Sequence, residues 1–339
     1  MKLNPSRVAL LFVFLASAIW GGSFVTQKIA GMYMGSFTYN GVRFALGALS
    51  LLPVIKLLEK PDRAKTKRTL LAGAAGGAVV FFASNLQQFG IVLSKSPSSA
   101  GEAGFITGMY IIFVPILGLF LKRKTSPLVW LSAVLAFGGL ALISTGAATA
   151  FRVSDLLLVL CAVFWAAHIL LIGRFVDEIN PIRFAAVQFV VCSVLSLISA
   201  FIFEDISLQG LHDGLGALLF GGIVASGAAY TLQVLGQRRV EPSKAAIIFS
   251  LEALFAALSE AVFLGEIMTP RKYVGGAIIF TGILLSQRRA NKTSNAGEDL
   301  SEYRGLNSYK KLTHFHKLHD AESCDSPPGK DEKAMLHNE

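Results

Sequence analysis

Ten apolar runs of about 20 residues occupy the chain up to residue 290, at approximately 8–27, 36–57, 70–93, 98–121, 127–146, 153–173, 181–203, 213–236, 243–265 and 271–287. A run of that length crosses the hydrocarbon core of a bilayer as a helix, so the sequence predicts an all-α membrane protein. Composition agrees: 16% of residues are charged, against about 25% in soluble domains. The first run has the outline of a signal peptide, with Lys2 and Arg7 ahead of it and an Ala16-x-Ala18 site. It continues, however, through Trp20, Phe24 and Val25, and its counterpart at 153–173 lies in mid-chain.

The runs form two sets of five that repeat one another. At an offset of 145, Trp20 recurs as Trp165, Phe44 as Phe189 and Gln88 as Gln233. Gly76-Gly77-x-Val79 recurs as Gly221-Gly222-x-Val224, and Pro97-Ser98-x-Ala100 as Pro242-Ser243-x-Ala245. Further on the offset is 143, and Phe137 and Gly139 match Phe280 and Gly282. The sequence thus predicts a first repeat over 5–146 and a second over 153–289. Internal repeats of this size in a membrane chain point to a transporter.

Basic residues set the orientation. With the N-terminus in the cytoplasm, the inner loops hold 19 Lys and Arg and the outer loops five: Lys28, Lys95, Arg152, Arg271 and Lys272. That excess is the positive-inside pattern, and it accounts for most of the +9 net charge without nucleic-acid binding. Five spans per repeat is an odd number, so the second repeat enters the membrane from the opposite side and the repeats are inverted. Both termini are expected in the cytoplasm. Residues 290–339 read as a disordered cytoplasmic tail; its His314, His316 and His319 have no carboxylate or Cys framing that would mark a metal site. Cys161 and Cys192 lie in apolar runs and Cys324 in the tail, which suggests no disulfide framework.

Polar residues at membrane depth carry the functional signal, because ionisable groups there face a cavity or a partner. Arg43 lies about 10 Å into its span, and Glu102, near the outer end of the fourth span, is its expected partner. Gln188 is the repeat counterpart of Arg43. Glu252 lies roughly 13–14 Å deep, near the midplane. With no neighbouring base it is protonated, paired with another helix, or bound to a cation or amine; the first makes it the proton-coupling candidate. Glu260 and Glu266 are expected to reach the interface. Ser226, Tyr230, Gln233 and Gln237 form one stripe of the eighth span, and Asn85 and Gln88 lie on the third. Trp20 with Ser23, and Trp165 with His168, occupy equivalent pairs on the first and sixth. Each alone is as well explained by helix packing; converging from six helices, they predict a polar cavity with aromatic walls. No phosphate loop, metal-spaced pair or catalytic Ser/His/Asp set is present, so no enzyme, cofactor or metal is expected.

Several strings resemble the EamA group of the drug/metabolite transporter superfamily: "WGGSF" at 20–24, "VRFALGAL" at 42–49, "FWAAHILLIGR" at 164–174, "SLEALFAALSEAVFLGE" at 250–266 and "GGAIIFTGILL" at 275–285. The resemblance covers residues 5–290. It implies ten spans as two inverted five-helix repeats, with a central cavity lined by spans 1–4 and 6–9 and spans 5 and 10 at the periphery. In one departure, the group commonly places Pro after the ninth-span Glu, whereas Ala253 follows Glu252 here, which removes a sequence reason for a kink.

The sequence is therefore read as a bacterial inner-membrane secondary transporter, a monomer or homodimer in the lipid bilayer. It would export a small metabolite such as an amino acid by alternating access, with protons as a candidate coupling ion. The rival readings are an uncoupled facilitator or channel and a drug or toxic-compound efflux carrier.

Overall fold

The computed structural model describes residues 5–59, 62–94, 99–144, 152–265 and 269–287, and among these every regular element is helical. In chain order they are α1 (Pro5–Ala30), α2 (Ser36–Leu58), a short 3₁₀ turn (Arg63–Lys65), α3 (Thr66–Leu93), α4 (Ser99–Thr107), α5 (Tyr110–Phe120) and α6 (Pro127–Ser144). Then follow α7 (Val153–Phe175), α8 (Pro181–Phe203), α9 (Leu208–Asp213), α10 (Leu215–Leu219), a π-helical segment (Phe220–Ala228), α11 (Ala229–Gln237), α12 (Pro242–Phe249), α13 (Glu252–Leu264) and α14 (Pro270–Gln287). The tail at 290–339, Glu266, and the Pro97-Ser98 half of one repeat match lie outside the described residues.

Local chemistry sets the boundaries. α8 and α12 open on a proline in the first turn, where the missing N–H would be unpaired anyway. α13 closes on Gly265 at φ 70°, the left-handed conformation that glycine adopts without strain.

Among the described residues, eight helical stretches are long and apolar enough to cross a membrane: Pro5–Ala30, Ser36–Leu57, Arg63–Leu93, Ser99–Phe120, Val153–Phe175, Pro181–Phe203, Leu215–Gln237 and Pro242–Leu264. Eight of the ten expected spans meet that measure; α6 is a shorter apolar helix, and α14 opens on Pro270, Arg271 and Lys272. α6 and α14 pack chiefly on each other. Solvation is reversed relative to a soluble bundle. On α8, Val190, Val194, Ile198 and Phe201 are exposed while Gln188, Ser193 and Ser196 are buried. Such a helix turns its polar side inward because lipid cannot satisfy it.

The helices interlock across the chain. α1 packs on α11 and α13, α2 on α8 and the π segment, and α3 on α7 and α8. α2 and α8 run antiparallel, and each receives a carboxylate from the end of the other. Glu204, which ends α8, accepts from the Phe37 and Thr38 amides and the Thr38 hydroxyl, each at 2.8 Å. Glu59, which ends α2, accepts from the Ile182 amide at 3.1 Å and lies 3.3 Å from Arg183 Nε. A Cβ on Gly35, the N-cap of α2, would meet the Glu204 carboxyl, which would have to shift from its place at the helix end.

Candidate functional site

Three of the apolar stretches depart from α geometry near their middle. Between α4 and α5 the Ile111 and Ile112 amides bond three residues back, to the Gly108 and Met109 carbonyls. Between α12 and α13 the Leu251 and Ala253 amides do the same with Ile248 and Ser250. The kink for which the sequence offered no proline is therefore present, as a tightened turn at Ser250–Leu251. The π segment makes the third departure. Irregular turns inside helices recur at functional sites and hinges, and these three surround one cavity.

The cavity measures ≈40 Å³, room for about three waters. Trp20, Ser23, Phe24 and Gln27 from α1, Arg43 from α2 and Gln87 from α3 line one part of it. Thr107, Tyr110, Trp165 and Ile169 from α4, α5 and α7 line another, and Tyr230, Gln233, Phe249 and Glu252 complete it from the eighth and ninth stretches. α8, α6 and α14 contribute nothing to the wall, so the seventh span stands outside the lining expected of it.

Tyr230 is the hub of the aromatic wall. Its ring lies 4.9 Å from Trp20 and 5.9 Å from Trp165, and from behind the wall Phe189 approaches to 5.4 Å, all by tilted or edge contacts. The two repeat-related tryptophans are held differently: the Trp20 indole donates to the Ala225 carbonyl in the π segment at 3.0 Å, and the Trp165 indole to Gln87 Oε1 at 2.8 Å. Gln87 in turn donates to Gln27 Oε1 at 2.9 Å, which ties α1, α3 and α7 together at the cavity edge.

Two ionisable groups reach this space. Arg43 is buried, its Nε donating to Asn40 Oδ1 at 2.8 Å and its guanidinium lying over the Tyr39 and Phe44 rings at 5.0 and 4.6 Å. Asn40 donates to Asn85 Oδ1 at 2.9 Å, and Asn85 donates to Ser196 Oγ at 3.1 Å. Asn85 is therefore a support behind Arg43 and does not line the cavity. Glu252 is the first residue of α13, at mid-length of the Pro242–Leu264 stretch. The Tyr110 hydroxyl lies beside its carboxyl, yet neither that hydroxyl nor Glu252 Oε1 has a partner at hydrogen-bonding geometry. Among the described residues no salt bridge includes Arg43 or Glu252.

The expected Arg43–Glu102 pair is not formed. Glu102 lies 3.7 Å from Arg152 Nη2 instead, away from the cavity wall, because Arg152 at the start of α7 reaches the outer end of α4. Glu260 is wholly buried within the protein; its carboxyl lies against the bare Cα of Gly101 near the outer end of α4. Gln88 points behind the wall, donating to the Gln27 carbonyl at 2.9 Å, and its neighbour Gln87 takes the lining position. His168 and Gln188 pair with each other at 2.9 Å between Nε2 and Oε1, buried behind Trp165 and Tyr230. Of the eighth-span stripe only Tyr230 and Gln233 line the cavity. Ser226 bonds five residues back to the Gly221 carbonyl, and Gln237 donates to the Ile169 carbonyl. Trp20, Ser23, Arg43, Trp165, Tyr230, Gln233 and Glu252 are thus the sequence candidates that meet. Of those the sequence did not single out, Tyr110 and Phe249 read as ordinary apolar-face residues. Gln27 and Thr107 carried a usable signal, being polar within apolar runs.

Comparison with known proteins agrees with this architecture. A solved crystal structure superposes with a TM-score of 0.68 at 16% identity, covering 84% of this chain and 98% of its own, a likeness of fold. An "Uncharacterized transporter" of Archaeoglobus fulgidus is 30% identical over 281 residues, 81% of this chain and 84% of its own length. A "Probable amino-acid metabolite efflux pump" of Salmonella typhimurium is 26% identical over 303 residues, 84% of this chain and 95% of its own. The profile of the EamA-like transporter family matches residues 7–145 and again 152–287, so two successive matches account for nearly all of the described chain, and the chain belongs to the EamA-like transporter family.

Proposed function

We propose that this transporter exports a small zwitterionic metabolite of the amino-acid class across the bacterial inner membrane by alternating access, coupled to protons through Glu252. The observation that carries the reading is the cavity's charge arrangement. One guanidinium, Arg43, and one carboxyl, Glu252, face the same small space, and neither is in a salt bridge among the described residues. Leaving opposite charges unmatched inside a membrane costs several kcal/mol, a cost that a zwitterion offsets by pairing with both. The aromatic wall suits its carbon skeleton, and the named activity of the Salmonella relative belongs to the same chemical class.

The topology proposed is ten spans in two inverted repeats, 5–146 and 153–289, with α6 and α14 as the fifth and tenth and the 290–339 tail in the cytoplasm. Support comes from the antiparallel α2 and α8, which stand 145 residues apart in sequence like the repeats themselves, and from the basic bias of the loops assigned to the inside.

Proteoliposomes preloaded with single amino acids, amines or carboxylic acids test the reading. Net efflux of a zwitterion, accelerated by an imposed proton gradient, is the expected result. Glu252→Gln keeps size and hydrogen bonding but removes titration, and should leave downhill exchange while abolishing the acceleration. Full gradient-driven accumulation by that variant would move coupling elsewhere. Transport of amines alone, with zwitterions ignored, would overturn the substrate class.

A further inference from the structure

The two carboxylates that end α2 and α8 stand 145 residues apart, the repeat offset, and each serves the helix of the other repeat. A helix leaves its first amides without internal partners, and an acidic group there satisfies them and complements the helix dipole. In neither helix does the N-cap side chain do this: Gly35 has none, and Asn180 makes no cap bond. Glu204 and Glu59 fill the role from outside, at the second and third amides of α2 and at the second amide of α8.

The two caps lie at opposite ends of one antiparallel pair, about 34 Å apart along α2. They also lie on a seam. α2 packs on the π segment and α8 packs on α3, so α2 and α8 contact each other across the line between two groups of helices. A motion that opens the central cavity to one face by swinging α2, which carries Arg43, away from α8 parts this seam at one end while the other end holds. Parting it exposes helix amides and a carboxylate whose partners are lost, so each cap resists opening at its own face.

We propose that Glu59 and Glu204 are positioning residues of the transport cycle, alternate latches of which one is released while the other stays closed. The proposal rests on the alternating-access reading above. The latches are unequal. At the Glu204 end the carboxylate meets three neutral donors. At the Glu59 end Arg183 adds a cation, and Asn180 exchanges hydrogen bonds with the Asp62 backbone at 3.2 and 3.1 Å. That end is further tied by Lys65 Nζ on the Asp177 carbonyl at 2.6 Å and by the Arg68–Glu178 ion pair. The resting carrier therefore opens more readily at the Glu204 face, which is the outer face in the topology proposed.

The test places one reporter thiol in the cavity, Ser23→Cys, in the full chain with Cys161, Cys192 and Cys324 replaced by alanine. A membrane-impermeant maleimide is applied to oriented proteoliposomes from one face or the other, and the ratio of labelling rates is read. The parent should label faster from the Glu204 face. Glu59→Gln weakens the latch at its own end and should shift the ratio about tenfold towards the Glu59 face, and Glu204→Gln by a similar factor the opposite way, as expected for losing a hydrogen bond to a charged group. The double variant should return near the parent ratio. Glu59→Asp and Glu204→Asp, which keep charge but shorten reach, should give smaller shifts of the same signs and serve where a glutamine variant folds poorly. Shifts in the same direction, or unchanged ratios in variants that fold, would overturn the proposal while leaving alternating access intact. A parent whose cavity labels at full rate from both faces at once, with a solute leak, would instead overturn alternating access itself.

Discussion

Adjacent glycines in α1 should respond oppositely to the same substitution. A Cβ on Gly21 would run into Phe255 Cβ and stand 2.7 Å from the Glu252 carbonyl oxygen and 2.9 Å from the Ala256 amide nitrogen. All three atoms belong to α13, and two of them are backbone atoms that no rotamer change can move. Gly21→Ala must therefore push α1 and α13 apart by several tenths of an ångström. Overpacking of this kind costs about 1–3 kcal/mol, and the rigid neighbours place it towards the upper end. A Cβ on Gly22 would meet only Ser259 Oγ at 3.7 Å and Phe220 Cζ at 3.8 Å, ordinary contacts. Gly22→Ala should be neutral or gain a few tenths of a kcal/mol from helix propensity, which favours Ala over Gly by up to about 1 kcal/mol. Reversible unfolding in mixed detergent micelles should then separate the neighbours by about 2–4 kcal/mol. Because the displaced atoms carry Glu252, Gly21→Ala should also lower transport per folded molecule, and Gly22→Ala should not. Equal stabilities for the two variants would refute the close packing of α1 on α13 at the level of Glu252.

Two further outcomes follow from contacts outside the cavity. Gly139→Ala should strain the α6–α14 pair, where a Cβ would stand 2.9 Å from Ile279 Cγ1 and 3.0 Å from the Ile279 amide nitrogen. It should cost about 1–3 kcal/mol of stability and leave transport by the folded fraction unchanged, since neither helix lines the cavity; a changed substrate affinity would refute that peripheral role. In double-mutant cycles Glu102 should couple to Arg152 by about 0.5–1 kcal/mol, as suits a partly exposed pair, while Glu102 and Arg43 should add; the reverse pattern in unfolding free energies would restore the Arg43–Glu102 pairing.

The apolar runs located the helices to within a few residues, because length and polarity alone decide what can lie in lipid. Trp20, Arg43, Tyr230 and Glu252 were legible as cavity residues for the same reason: polar or amphipathic groups in apolar runs have to turn inward. What the sequence did not disclose was side-chain partnership. Arg43 and Glu102 looked matched by depth, but a guanidinium can rest on rings and an asparagine, and the arginine that reaches Glu102 sits at the start of another helix. Glu260 is packed inside the protein and not turned to the surface, because Gly101 on the facing helix leaves room for a carboxyl. Nor does composition announce a tightened turn: Ser250–Leu251 breaks its helix without proline.

The π segment makes the two halves of the chain disagree about arithmetic. Gly76 and Gln88 are 12 residues apart, as are Gly221 and Gln233, so no residue has been gained or lost between these landmarks. The first stretch is α-helical throughout, whereas the second is wound wide over Phe220–Ala228. A widened turn takes up an extra residue, so side chains beyond it lag by about one position, roughly 100° of rotation. That lag accounts for the cavity being met by Gln233 from one copy but by Gln87, not its numerical counterpart Gln88, from the other. Identity inherited through duplication has here come apart from direction. Grafting a cavity residue from one half to the other by counting would aim it at the wrong neighbour, and shifting the count by one residue past the π segment would aim it correctly.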